Sequence, residues 1–423
     1  MMLSPGARGW VKKYFELVEN GEIKLTIDRP EGLRKLHFMH LILGNSGIVF
    51  GYPLELIFGK SLDQTKWTNE EKLKLLLFES HLFVYLQIHI GEEFDKDDFI
   101  HSLCEFYQHH NGRRVTRLLS RFKRSNEIDT LEGALAERVD IKLKLLENKW
   151  WVNSLSNAFV YLDVILYDDF EHKDRVAALK AYSSYAMNAL TAIILSAYSD
   201  GVIEDKEKDL FNIFLASAGL EDEQRDRVKE KFKKGASFED FSLYVKDHWL
   251  LKRFLLDISA LLIFSNHEAL DNEILFLESL AEHFDISKAE LEESLSMVEN
   301  FVLKSKDHAA ILSDHASYEK VYISLTKRWT KVIMRNKDKL TIEIQESKEL
   351  IALVRKSTRE ELSKEEREAV KEQLKDIVKT VPSLTIFMLP GGTVLLPLLL
   401  RVLPDLVPSA FRDNQLEDTE EQE

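Results

Sequence analysis

The stretch Ala189-Leu190-Thr191-Ala192-Ile193-Ile194-Leu195-Ser196-Ala197-Tyr198-Ser199-Asp200-Gly201-Val202-Ile203-Glu204-Asp205-Lys206-Glu207 decides the fold. It reads as the end of an apolar helix, an acidic turn and the start of a second helix. The pattern returns at Ser265-Asn266-His267-Glu268-Ala269-Leu270-Asp271-Asn272-Glu273. Asp200 then faces Asn266, Asp205 faces Asp271, and Glu207 faces Glu273. Apolar helices precede the two turns (Ala189 to Tyr198; Phe254 to Phe264) and follow them (Leu210 to Ala218; Ile274 to His283). The following helices end at Gly219-Leu220 and Asp285-Ile286. Residues 176–305 therefore read as a duplicated helical unit.

Proline placement extends this reading outward. Pro5, Pro30 and Pro53 lie early, five prolines crowd the end, and none occurs between Leu54 and Val381. Proline costs roughly 3 kcal/mol in a helix interior, so a long proline-free stretch with helical periodicity predicts an all-α protein of several helical bundles. The 423 residues carry a formal charge of −15, with 45% hydrophobic and 30% charged residues. Those values exclude global disorder and collagen-like or disulfide scaffolds, and the acidic balance argues against a dedicated nucleic-acid coat. Cys104 is the only cysteine. No intrachain disulfide can form, which fits a reducing compartment.

Residues 1–175 form the first predicted domain, and 1–60 are its least regular part. Met1 to Gly21 is neither a secretory signal nor a transit peptide. Gly59-Lys60-Ser61 resembles the end of a phosphate loop, but Leu54 stands where its first glycine belongs, so an ordinary loop is expected. From Asn69 the spacing is helical. His101, Cys104, His109 and His110 match no zinc pattern. Arg114, Arg117, Arg121 and Arg124 share one helical face. That face suits anionic lipid or RNA phosphates, or it is a solvated face paired with acids. Residues 131–170 read as continued helix, with Trp150, Trp151, Phe159, Tyr161 and Leu162 as core.

The duplicated turns resemble the TerB-like helical domains, named from tellurite resistance, over 176–305. Asp200-Gly201 with Glu207, and Asp271 with Glu273, carry the resemblance. It implies a divalent metal at Asp200, Glu204, Glu207, Asp271 and Glu273. The second turn has Asn266-His267 where Asp-Gly is expected. A calcium loop fails, because Ser196 and Tyr198 occupy positions that need carboxylates. The bland reading, acids stabilising a helix N-terminus, stays open beside the metal site.

Residues 306–379 form a basic connection, with one long helix expected over 317–356. Lys320, Lys327, Arg328, Lys331, Arg335, Lys337 and Lys339 are opposed by Asp338 alone, which suits contact with anionic lipid or ribosomal RNA. Thr358-Arg359-Glu360-Glu361 and Ser363-Lys364-Glu365-Glu366 read as capping boxes, followed by an apolar stripe at Val370, Leu374, Ile377, Val378 and Val381. Thr380 to Leu400 then contains no charged side chain. As helix it would span about 31 Å, near the hydrocarbon thickness of a bilayer. Pro390, Gly391, Gly392 and Pro397 inside it are better tolerated in a membrane helix than in a soluble one. Lys364, Arg367, Lys371, Lys375 and Lys379 precede it, which places the main body in the cytoplasm by the positive-inside rule. The segment runs over 380–412 and an acidic tail over 413–423.

From Val354 to Asp413 the chain resembles the leucine-zipper/EF-hand transmembrane (Letm) family. Pro382, Pro390, Pro397, Pro404, Pro408 and Phe411 carry the signature, which closes on Leu403-Pro404-Asp405-Leu406-Val407-Pro408-Ser409-Ala410-Phe411. The resemblance implies a membrane protein linked to cation/proton exchange, ribosome binding or membrane-protein biogenesis, with bacterial relatives associated with biofilm formation. The sequence ends soon after Phe411, without the soluble ribosome-binding-like region, EF-hand and zipper expected to follow. The lack of a transit peptide favours a bacterial inner membrane. The expected protein is a non-enzymatic membrane-tethered factor contacting lipid, with the ribosome as a candidate partner. One alternative is an oligomeric exchanger using Asp405; another is a soluble scaffold with a buried apolar tail. No catalytic constellation, dinucleotide fingerprint or intact phosphate loop is found.

Overall fold

A computed structural model describes residues 3–109, 127–139, 157, 159–172, 175–199, 201, 203, 205–265, 271–305, 315–357, 360 and 362–380. Among them are seventeen α-helices and no strand. The first six are α1 (Trp10–Glu19), α2 (Lys35–Ser46), α3 (Asn69–Ile88), α4 (Lys96–His109), α5 (Glu127–Val139) and α6 (Val160–His172). Then come α7 (Arg175–Lys180), α8 (Tyr182–Ala197), α9 (Asp205–Ser217), α10 (Asp222–Lys234), α11 (Trp249–Ser265), α12 (Asp271–His283) and α13 (Lys288–Ser305). The last four are α14 (His315–Arg335), α15 (Lys337–Glu346), α16 (Lys348–Ser357) and α17 (Lys364–Thr380).

Several helices are buried on every face, α3 and α11 over the longest runs. In α3 each residue from Leu73 to Tyr85 is buried, and in α11 each from Leu250 to Phe264. A helix apolar all round must be enclosed by others. Around α3 lie α2, α4, α5 and α6; around α11 lie α2, α8, α12 and α13. Residues 1–60, read as irregular, contain α1 and α2. Trp10, Tyr14 and Phe15 of α1 meet Phe78 of α3 edge-on. The buried core is continuous from Leu3 to Ile377.

Each copy of the sequence repeat falls on a pair of helices, α8 with α9 and α11 with α12. The first helices of the two copies, α8 and α11, pack against each other. The second helices, α9 and α12, have thirteen residues each. Each copy leaves that second helix through a left-handed residue, Gly219 (φ 62°) and Asp285 (φ 53°). Asp285 is the one non-glycine residue with positive φ among the described residues. Ile286 N–H reaches back to Ala281 O at 2.8 Å and Asp285 N–H to Glu282 O at 3.1 Å, closing the helix end. The buried Leu220 and Ile286 follow, so the two exits match in both backbone and side chain.

Buried polar groups join the pieces. Glu79, buried in α3, accepts the amides of Ile57 (2.6 Å), Phe58 (3.0 Å) and Gly59 (2.8 Å), and the Tyr14 hydroxyl (3.0 Å). The amides of the phosphate-loop look-alike are thus spent on an internal carboxylate. Arg138 grips Asp163 through two nitrogens (2.5 and 3.0 Å) and donates to the Tyr182 hydroxyl, tying α5 to α6 and α8. Gly44 of α2 lets Met297 of α13 approach so closely that a Cβ would lie 1.9 Å from its sulfur.

The single long helix expected over 317–356 is instead α14, α15 and α16. It breaks at Asn336 and Ser347, whose side chains bond the nearby backbone: Asn336 donates to Val332 O (2.8 Å), and Ser347 Oγ accepts Leu350 N–H (3.2 Å). The turns let Leu340, Ile344, Leu350 and Val354 face inward. The second predicted capping box forms, with Ser363 N–H on Glu366 (2.9 Å) and Glu366 N–H on Ser363 Oγ (3.2 Å). Of the helix expected over 131–170, α5 and α6 lie within the described residues and 140–156 lie outside them.

Two stability measurements follow from these joints. Glu79→Ala strands three buried amide donors and is expected to cost about 3 kcal/mol or more in a denaturant melt, with Glu79→Gln costing less. Asp285→Gly relieves the left-handed residue and is expected to raise stability by up to about 1 kcal/mol.

Candidate interaction surface and a buried ionisable cluster

The duplicated acids divide into surface and core. Glu207 and Glu273, each in the first turn of its helix, are both buried and engaged by neighbours. A carboxylate there faces the positive end of the helix dipole. Asp205 pairs with Lys208 at 2.9 Å on the surface. Asp271 opens α12, while Asp200 and Glu204 lie outside the described residues. Among the described residues no group of three or more His, Cys, Asp or Glu side chains is placed to hold a metal. His101 turns to Glu127 (3.0 Å), and the buried Cys104 donates to the Glu127 carbonyl. Burial pushes the Cys104 thiol up to about 12.

The basic segment resolves into two faces. Val321, Leu325, Trp329 and Ile333 of α14 are buried, and α14 packs against α13. Arg328 flanks that buried face, where its guanidinium pairs with Glu292 and with Glu299 (3.2 Å) of α13. Ser324 also donates to Glu299, at 2.6 Å. Arg328, grouped from sequence with the surface cations, is therefore a packing residue. Lys327, Lys331 and Arg335 are exposed. On the same side of the helix stand Ile323, 61% exposed, and Met334, 60% exposed. Periodicity identifies the cations; only the partners on α13 separate Arg328 from the rest.

A third constellation has no sequence motif. His40 of α2 and Arg253 and Asp257 of α11 are completely buried together. His40 Nε2 lies 3.4 Å from Asp257 Oδ2 without the alignment of a hydrogen bond. Arg253 donates to Ser294 Oγ (3.0 Å) and Glu293 (3.3 Å), and lies 5.2 Å over the Trp249 ring. His37 meets the other oxygen of Glu293 at 2.5 Å. Burial pushes Asp257 up to about 7, against the pull of Arg253, and pushes His40 well below its ordinary value. Histidines, an arginine and carboxylates 200 or more positions apart converge here because α11 is enclosed on all sides. Ordinary core spacing hides them in the sequence.

Arg114, Arg117, Arg121 and Arg124 lie outside the described residues, as do Pro382, Pro390, Pro397, Pro404, Pro408 and Phe411. Among the described residues no helix is long and apolar enough to cross a membrane, and 381–400 were not among those searched. What leads into that stretch is described. α17 buries Val370, Leu374 and Ile377 and packs on α15 and α16.

Residues 362–423, about a seventh of the chain, match the family model described as LETM1-like, RBD. The C-terminal segment is therefore Letm-like. The match starts at α17 and runs through the uncharged stretch and the acidic tail, so the RBD-type region expected only after Phe411, and read as missing, corresponds to 362–423 itself. No curated protein and no solved structure matches the chain.

The buried cluster has a pH signature. Asp257 keeps its proton in the folded protein up to about pH 7 but loses it near 3.8 when unfolded, so its contribution to stability falls as pH rises between those values. Asp257→Asn is expected to gain on the parent chain over that window by up to about 4 kcal/mol, read from urea melts across pH.

Proposed function

We propose that this protein is a non-enzymatic, membrane-tethered Letm-like factor that presents a helical body to the bacterial cytoplasm and engages the ribosome from the inner membrane. The match of residues 362–423 to the LETM1-like RBD model carries this reading, RBD denoting ribosome binding. At family level the same match supports a link to membrane association and ion homeostasis. The docking of α17 onto α15 and α16 gives the reading a physical form: the uncharged stretch leaves a helix fixed to the body. The cations of α17 stand on the side the positive-inside rule assigns to the cytoplasm. The duplicated unit around Glu207 and Glu273 is TerB-like on this reading and gives the body rigidity. Involvement in envelope stress or biofilm formation follows from the two resemblances.

Fractionation with a carbonate wash tests the tether, using the full chain and a version ending at Thr380. The full chain is expected in the washed membrane and the shorter one in the supernatant. Ribosome co-sedimentation of the detergent-solubilised full chain tests the partner. Release of both versions would show a soluble scaffold with a packed tail. Retention without co-sedimentation would leave a tether whose partner is not the ribosome, and ion flux dependent on Asp405 would become the next measurement.

A further inference from the structure

We infer that the solvent face of α14 is a docking surface for an anionic phospholipid bilayer, an inference that rests on the tethered reading for its geometry. A straight helix advances 100° per residue. Ile323, Lys327, Lys331 and Met334 then fall within an arc of about 80°, opposite the stripe Val321, Leu325, Trp329 and Ile333. Ile323 and Met334 keep more than half of their surface exposed, at 61% and 60%. Lys327 and Lys331 are exposed beside them, and the exposed Arg335 lies about 40° beyond the arc. On α15, Ile342 (56% exposed) and the exposed Lys339 follow.

Charge complementarity names the occupant. The chain carries a net charge of −15, yet no acidic residue occurs between Lys320 and Lys337. Glu292 and Glu299 of α13 are paired with Arg328 on the buried side, and the exposed Asp338 stands past Arg335 at the start of α15. A solvated cationic face has no use for two large apolar side chains beside its lysines. A bilayer uses both kinds: Ile and Met enter the acyl boundary while lysine stems follow them down and hold their ammonium groups among phosphates. A nucleic-acid face would favour rings that stack on bases, and the arc has none. Each cation near an anionic leaflet contributes about a fivefold gain in partitioning, so three contribute about 100-fold.

The test uses the full chain carrying Met334→Cys, labelled with an environment-sensitive dye; the buried Cys104 is protected from labelling. Vesicles of phosphatidylcholine alone are compared with vesicles of roughly one-third phosphatidylglycerol. A blue shift with the anionic vesicles alone, reversed by salt, is expected. Lys327→Ala, Lys331→Ala and Arg335→Ala together should weaken it about 100-fold, and Ile323→Ser should weaken it with the charges intact. Flotation with pure phosphatidylcholine vesicles reports the anchor alone. Flotation without a dye shift on anionic vesicles overturns the docking surface and leaves the tether standing. A dye shift without flotation on phosphatidylcholine supports the surface and removes the anchor. A response to ribosomal RNA with none to anionic vesicles overturns the proposal in favour of a nucleic-acid face.

Discussion

Helices enclosed on every side, α3 and α11 over the longest runs, impose the architecture. α3 and α11 cannot lie at a surface, because each would expose apolar side chains whichever way it turned. Each must collect neighbours on all sides. α2 serves both, touching α3 and α11 while Gly44 admits Met297 of α13. The irregular-looking N-terminus is thereby drawn into the same continuous core as the duplicated unit.

Enclosing so much helix traps polar groups, and their treatment differs by place. Glu79, Asp163 and Glu299 each receive several donors, and each fixes a joint: the 57–59 loop on α3, α5 on α6, α14 on α13. Asp169 does the same for α8 and the start of α11, through Tyr185 (2.7 Å) and His248 (2.8 Å). A buried carboxylate left without donors would cost more than its neighbours could return. The His40–Asp257 pair is the contrast. Its atoms are buried without aligned partners, and the carboxyl responds by keeping its proton.

Much of this was legible in the chain. The 66-residue repeat from Asp205 to Asp271 and from Glu207 to Glu273 reappears as matched helices, and Gly219 and Asp285 share a left-handed backbone. The Letm-like character of the C-terminal segment was readable from its prolines and leucines, and the family match covers the same ground. The breaks at Asn336 and Ser347 were missed because a basic, proline-free run has no strong helix terminator. Tertiary packing decided where it bends. Residues 1–60 misled for the opposite reason: glycines and prolines around α1 and α2 masked two short helices whose apolar sides are covered by α3, α5, α11 and α13.

By itself the sequence determined the all-helical class, the duplication and the uncharged stretch, since helical periodicity, turn chemistry and loss of charge are properties of neighbours along the chain. The tertiary structure alone decided that Arg328 is a half-buried brace while Lys327 and Lys331 face outward, that Glu79 occupies the amides of the 57–59 loop, and that His40 meets Asp257. Those outcomes depend on carboxylates and apolar faces brought in from other helices. The free energy of a charge is set by what surrounds it in space, whatever its place in the chain.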